Sequence, residues 1–118
     1  MAEVNLINVA TIIPSNIGFN LTNATNSKLI TPATDKVIKI NTITVANVDE
    51  TNDATIDIAI SGSANFNTRR YLLKTVLVPA DSTTVIEKPI NLGAGDKLET
   101  QANANSDLDV FASILEIT

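Results

Sequence analysis

The residues best suited to chemistry are acidic and lie in one predicted loop. Asp49, Glu50, Asn52 and Asp53 follow one another closely, and clustered carboxylate and amide oxygens are ligands that Ca²⁺ prefers. The spacing departs from the twelve-residue calcium loop, which needs a central glycine and a distal glutamate. A solvated turn is therefore the favoured interpretation. We predict no bound metal, with Asp49 and Asp53 as the candidate ligands should one be present.

Catalysis is limited by the residue types that are missing. The chain has no histidine and no cysteine. Histidine is the commonest general base near neutral pH and a common metal ligand, and triads that activate serine or cysteine depend on its imidazole. Paired carboxylates could hydrolyse a glycoside, but no such pair falls in an apolar or aromatic segment. We predict a protein that is not an enzyme, with no catalytic residues and no cofactor.

Two short motifs are better explained by structure than by ligand binding. The sequence from Gly93 to Asp96 has fewer glycines than a phosphate loop and leads into a predicted strand rather than a helix. We expect its glycines to supply positive φ angles in a turn. Arg69 and Arg70 form an adjacent basic pair, which we interpret as a solvated edge because exposed charge pairs contribute little.

Composition excludes several classes of partner. The net charge is -5 and the basic residues are scattered, whereas a phosphate backbone needs a concentrated cationic surface. No apolar run approaches the ~20 residues that span a bilayer, and the N-terminus lacks the early basic residues of a signal peptide. We therefore predict no nucleic-acid or membrane partner and folding in a cytoplasm. Three Phe, one Tyr and no Trp also argue against a stacking platform for sugars or bases.

The elements that must position these residues are predicted to be short strands. The chain contains 15 Thr and 14 Asn against 4 Gly; Thr favours extended backbone and Asn favours turns. Residues 54–60 alternate, with Ala54, Ile56, Ile58 and Ile60 on one face, as in a half-buried strand. Along residues 37–48 the alternating apolar side chains shift from one face of the strand to the other, which indicates either a bulge near Asn41 or burial on both faces. Further strands are predicted at 71–78, 83–90, 97–102 and 107–117. The strand at 107–117 is expected in a central position. The strands at 37–48 and 54–60 are expected to form a hairpin.

The N-terminal third is less regular and is interpreted separately. Residues 1–33 are predicted to form an arm or a pair of peripheral strands, broken at Pro14 and including a brief edge strand near Leu29. Residues 34–118 are predicted to form an all-β, antiparallel sandwich or jelly-roll-like domain. Exposed apolar side chains in the arm would forgo about 1.5–3 kcal/mol each, so the arm packs either on its own domain or on a neighbour. The candidate assembly residues are Val4, Leu6, Ile7, Val9, Ile12 and Ile13.

Several segments in order carry a family resemblance. They are Val37–Asn41, Val45–Asp49, Val78–Asp81, Ile90–Leu98, Ser106–Val110 and Ile114–Ile117. Together, over roughly residues 36–118, they resemble small virion structural proteins of tailed bacteriophages, especially phages of cyanobacteria and other aquatic bacteria. Such proteins sit on capsids as decoration or cement proteins, or on the neck and tail as fibre, collar or baseplate elements.

The resemblance implies a function without catalysis. The expected role is capsid decoration or cementing, through repeated contacts with the major capsid protein. The alternative is a neck- or tail-associated structural protein, and a further alternative from another class is a carbohydrate- or receptor-binding module. The resemblance also implies a homo-oligomer, with a trimer favoured, that is made in the host cytoplasm and located in the virion.

Overall fold

Nine β-strands make up the regular structure of the described part of this protein. The computed structural model describes residues 11–21, 28–62, 69–93, 95–104 and 106–118, which contain no helix long and apolar enough to cross a membrane. The strands are β1 (Ile12–Asn20), β2 (Lys28–Ile30), β3 (Val37–Asn47), β4 (Ala54–Ser61), β5 (Arg70–Val78), β6 (Thr83–Ile86), β7 (Ile90–Leu92), β8 (Lys97–Ala102) and β9 (Leu108–Ile117).

The strands form two antiparallel sheets. The five-stranded sheet has the order β1-β9-β3-β6, with β7 also paired to β3, and the four-stranded sheet has the order β2-β8-β4-β5. Alternate side chains of both sheets meet in one buried cluster, as expected for strands with one face towards a core. The predicted all-β, antiparallel class is confirmed, and the arrangement is sandwich-like. Core residues with almost no exposure include Ile40, Ile43, Val45, Ile56, Ile58, Leu98, Leu108 and Val110.

Of the two alternatives for residues 37–48, a bulge or burial on both faces, the structure shows the bulge. The register of β3 against β9 shifts between Ile40 and Thr42. This extra residue lets Ile40 and Ile43 both face the core, although a regular strand would place them on opposite faces. The central position of β9 is confirmed as well, because it lies between β1 and β3.

The predicted hairpin between β3 and β4 is wrong. β3 pairs with β9, β6 and β7 in the five-stranded sheet, whereas β4 pairs with β5 and β8 in the four-stranded sheet. The loop between them therefore crosses from one sheet to the other. Both strands have an apolar face towards the shared core, and alternation along each strand does not specify which neighbour it pairs with.

The predicted strand at 83–90 is two strands that pair with different parts of β3. β6 pairs with residues 43–46, and β7 pairs with residues 38–40. Pro89 lies between them, just before β7, where its missing N–H removes no ladder bond.

The N-terminal third contributes one strand to the edge of each sheet. β1 pairs with β9, and the short strand β2 pairs with β8. β1 continues through Pro14, where the sequence predicts a break. The arm residues Val4, Leu6, Ile7 and Val9 lie outside the described residues, as does everything before residue 11.

Candidate functional site

The acidic loop is organised by its own hydrogen bonds. Asp49 Oδ1 accepts from the backbone N–H groups of Thr51 at 2.7 Å and Asn52 at 2.9 Å. The bonds from these N–H groups, together with those from both side chains, lower the pKa of Asp49 to about 2. Asp53 Oδ1 accepts from the N–H of Ala80 at 3.0 Å. Both candidate metal ligands therefore have partners within the chain.

A buried asparagine connects this loop to both sheets. Asn47, the last residue of β3, donates from Nδ2 to the carbonyls of Asn52 and Val78, each at 2.9 Å. Its Oδ1 accepts from the N–H of Asp49 at 2.9 Å. Val78 ends β5, so this one amide joins the end of the five-stranded sheet to the end of the four-stranded sheet.

A second carboxylate lies close to the loop. Desolvation, the charge of Asp49 and a side-chain hydrogen bond with Asp49 raise the pKa of Asp107. Within the described ranges, no group of three or more His, Cys, Asp or Glu side chains could hold a metal ion. The hydrogen bonds that Asp49 accepts from the loop backbone give it the role of shaping this turn.

The glycine motif forms the predicted turn. The N–H of Asp96 donates to the Gly93 carbonyl at 3.1 Å, and Asp96 Oδ2 accepts from the N–H of Gly93 at 2.9 Å. Gly95 has a φ of 82°, which confirms the predicted left-handed position before β8, but the φ of Gly93 is not positive, so the prediction is wrong for that residue. Gly62 packs against this turn with a φ of 100°, and a Cβ there would lie 2.6 Å from the Gly95 carbonyl oxygen.

Charged side chains gather on the outer face of the four-stranded sheet. Arg69 Nε lies 2.8 Å from Glu99 Oε2, and Lys74 Nζ lies 3.5 Å from Asp57 Oδ2. Lys74 Nζ also lies 4.7 Å from the ring centroid of Tyr71, at cation–π distance. We call these five residues the Tyr71 cluster. Each cation in it faces a carboxylate, so the cluster largely neutralises itself.

The Tyr71 cluster also holds an irregular strand in place. The register of β5 against β4 shifts twice, between Ile56 and Ile58 and again before Ala59. Thr75 has a φ of 53°, a strained conformation for a β-branched residue. Its N–H donates to Asp57 Oδ1 at 2.6 Å. An open groove of about 290 Å³ lies alongside, lined by Thr55, Asp57, Thr75, Gln101, Ala102 and Asn103.

The strand β1 presents a regular open edge. Its register with β9 is unbroken from Ile12 to Asn20, and no described strand pairs with its other side. At the two ends of the strand, Thr11 O accepts from Thr118 N, and Leu21 N donates to Leu108 O. Antiparallel ladders alternate, so odd-numbered residues bond to β9 and even-numbered residues face the open edge.

This alternation explains how a proline fits within β1. Pro14 is an even-numbered residue, so the N–H that it lacks would point away from β9. Prolines are tolerated in edge strands at such positions. The sequence could not reveal this, because the phase of the ladder is fixed by contacts with β9 about a hundred residues away in the chain.

Apolar side chains line this part of the five-stranded sheet. Ile12 and Ile13 are 54% and 47% exposed, so the two described members of the candidate assembly set are accessible. Phe111 on β9 is 47% exposed, and its Cδ2 lies 3.7 Å from the position that a Cβ on Gly18 would occupy. A shallow depression of about 400 Å³ surrounds this pair. No local sequence pattern connects Phe111 with Gly18, because the two residues are neighbours only through the pairing of β1 with β9.

No protein-family model, curated protein or solved structure matches this chain. The candidate site therefore rests on geometry. It comprises the open edge of β1 with its exposed apolar residues. The Tyr71 cluster, whose charges pair with one another, lies on the other sheet.

Proposed function

We propose that this chain is a non-enzymatic structural component of a tailed-phage virion. In this proposal it is a capsid decoration or cement protein with a jelly-roll-like domain and an extended N-terminal arm. The observation that carries the proposal is the exposure of Ile12 and Ile13 at the start of the open edge strand β1. In the sequence they come shortly after Val4, Leu6, Ile7 and Val9, the other apolar candidates of the arm.

The mechanism we propose is strand addition between protein subunits. An extended segment can add to an open sheet edge through main-chain hydrogen bonds, with side chains supplying specificity. A single contact of this kind is modest beside the roughly 1,000 Å² of a stable interface. Repetition over a symmetric particle would multiply such contacts through avidity. The major capsid protein is the proposed partner.

Cryo-microscopy of purified particles from the source phage tests this role. We expect density for the sandwich-like domain at repeated positions on the head, with residues 4–13 contacting a neighbouring subunit. Density at the neck or tail would instead support the alternative structural location. Absence of the chain from mature particles, checked by mass spectrometry, would exclude both virion roles.

A binding assay isolates the contribution of the arm. Particles lacking the protein would be incubated with the wild-type chain, with Ile12→Ser/Ile13→Ser, and with Tyr71→Ala as the matched control. We expect the double substitution to weaken binding at least tenfold, because it removes exposed apolar surface, and the control to bind normally. Equal binding by all three proteins would contradict the proposed interface.

A saccharide- or receptor-binding role is the second candidate. The observation that favours it is the open groove that shares Asp57 with the Tyr71 cluster, which itself contains one exposed aromatic ring. A glycan array and a host-cell adsorption assay test this role. Saturable binding that Tyr71→Ala abolishes, and that Ile12→Ser/Ile13→Ser leaves intact, would favour it. Phe66, the other aromatic residue relevant to this role, lies outside the described residues.

A further inference from the structure

Among the described residues, the β1 edge lacks the protection that the other sheet edges have. β2, β6 and β7 have only three or four residues, and β5 is bulged and carries Arg70 and Lys74. Short strands, bulges and charges are the usual means of preventing unwanted strand pairing. β1 has nine residues, no charged side chain and no register shift, and Pro14 is its one protective feature. An edge of this kind is suited to pairing.

Gly18 adds a second, independent observation. Its φ is not positive, and an added Cβ would meet its nearest atoms at 3.7 and 3.9 Å, which is ordinary contact. The described part of the chain therefore gives no steric reason for glycine here. Glycine weakens a strand, and in strand interiors it often marks the close approach of another chain. This glycine lies in the middle of the unprotected part of β1.

We propose that two copies of this chain pair through β1, antiparallel about a two-fold axis, with Gly18 opposite Gly18 of the second copy. Even-numbered residues face the edge, so each hydrogen-bonded pair must join two of them. This register also pairs Asn16 with Asn20 of the second copy. It keeps Pro14, which has no N–H to donate, outside the paired segment 16–20.

Both faces of the joined sheet are complementary in this register. On the inner face, Ile17 lies opposite Phe19 of the second copy, and the reverse pair repeats the contact. Both side chains are half-buried in one copy, and aromatic–β-branched pairs stabilise sheets. On the outer face, the two Phe111 Cα atoms would lie about 14 Å apart, three strand spacings. The two rings, which already lean over Gly18, would cover the paired glycines.

Charge and symmetry favour a second copy as the occupant. Residues 4–27 carry no charged side chain, so the pairing brings no like charges of β1 together despite the net charge of -5. A two-fold contact uses the same surface on both subunits and closes at two copies. The result is a dimer in which the two five-stranded sheets become continuous, in place of the trimer that the resemblance favours. The inference does not depend on a virion role.

A charge-swap experiment tests the register. Sedimentation equilibrium of the full-length wild-type chain should give about 25 kDa, twice the 12.5 kDa of one chain. Gly18→Lys and Gly18→Glu should each weaken dimerisation at least tenfold, because like charges would lie directly opposite each other. An equimolar mixture of the two variants should restore association as a heterodimer. Ala46→Lys on β3, two strands from the edge, is the matched control and should remain dimeric.

Hydrogen exchange provides a measurement that needs no variant. The amides of Asn16, Gly18 and Asn20 should gain protection as the wild-type concentration rises, because they become hydrogen-bonded in the dimer. A monomer at millimolar concentration would overturn the proposal, as would a trimer indifferent to Gly18→Lys. Loss of association on deleting residues 2–10, with Gly18→Lys still dimeric, would overturn it in favour of the N-terminal segment as the contact.

Discussion

The two longest edge strands of the described residues, β1 and β5, each have nine residues but are held in different ways. β5 is bulged, and side chains of other strands bind it through Asp57 at Thr75 and through Asn47 at Val78. β1 is paired with β9 by a regular ladder in unbroken register. An irregular edge resists further pairing, whereas a regular edge is a template for it. The comparison indicates that one sheet ends at β5 and that the other can be extended at β1.

The β5 and β1 edges also differ in their charged side chains. The residues at the β5 edge include Arg69, Arg70 and Lys74, and carboxylates of β4 and β8 face two of them. β1 has no charged side chain. Ion pairs of the described residues therefore contribute to the order of the four-stranded sheet at β5. β1 is held by its backbone ladder with β9, by apolar contacts and by Asn20, whose Nδ2 donates to Asp109 Oδ1 at 2.7 Å.

The largest expected effect comes from removing the amide that anchors β5. Asn47→Ala would leave the Val78 carbonyl and the Asp49 N–H without their partner, and buried unsatisfied groups cost roughly 1–3 kcal/mol each. We expect a loss of about 3 kcal/mol in the free energy of unfolding, measured by urea denaturation. The matched control Asn91→Ala, at an exposed position in β7, should change it by less than about 0.5 kcal/mol. Similar effects of both substitutions would contradict the anchoring role.

A smaller effect is expected from Asp57→Ala. This change removes the acceptor for the Thr75 N–H, and we expect a loss of about 1 kcal/mol. Hydrogen exchange should show loss of protection in β5 and an unchanged pattern in β1. Asp57→Asn, which retains an Oδ1 acceptor, is the control and should preserve most of the protection. If β1 amides respond as strongly as those of β5, the two edges are not held independently.

Relieving the backbone strain at Thr75 should stabilise the protein, in contrast to the two preceding substitutions. A left-handed conformation costs a non-glycine residue about 1–2 kcal/mol, and glycine removes this cost while adding about 0.5–1 kcal/mol of chain entropy. We therefore expect Thr75→Gly to raise the free energy of unfolding by up to about 1 kcal/mol. Thr84→Gly in β6, which has no positive φ, should lower it. Equal destabilisation by both changes would contradict the left-handed conformation of Thr75.

Local patterns in the sequence were sufficient for much of the fold. The alternation at residues 54–60 predicted the inward face of β4, and the shift of the apolar pattern after Ile40 indicated either a bulge or burial on both faces, of which the structure shows the bulge. The left-handed position at Gly95 followed from the chemistry of glycine. Each of these features depends on a few neighbouring residues, so the information is contained in the segment itself.

Features that depend on distant contacts could not be predicted in this way. β3 and β4 are close in sequence but lie in different sheets, because pairing partners are chosen by the whole core. Pro14 is tolerated because of the phase of the ladder with β9. The candidate site depends on Gly18 and Phe111, which are neighbours only because β1 and β9 pair.

The smallest expected effect is a pH dependence at the loop that anchors β5. The folded-state pKa of Asp49 is lowered to about 2 from 3.8, so its contribution to stability is present above about pH 4 and is lost as the pH falls towards 2. The pKa of Asp107 is raised, so its contribution has the opposite sign and declines as the pH rises above 3.8.

Thermal unfolding between pH 2 and pH 7 separates these two contributions. Asp49→Asn should flatten the acid limb of the Tm profile, because it removes the group that protonates there. Asp107→Asn should raise Tm slightly near neutral pH, because it removes a charge facing Asp49. Protection of β5 amides should fall in acid before that of β1 amides, since Asp49 shapes the loop through which Asn47 holds Val78. Simultaneous loss at both edges would show that the loop does not act on β5 alone.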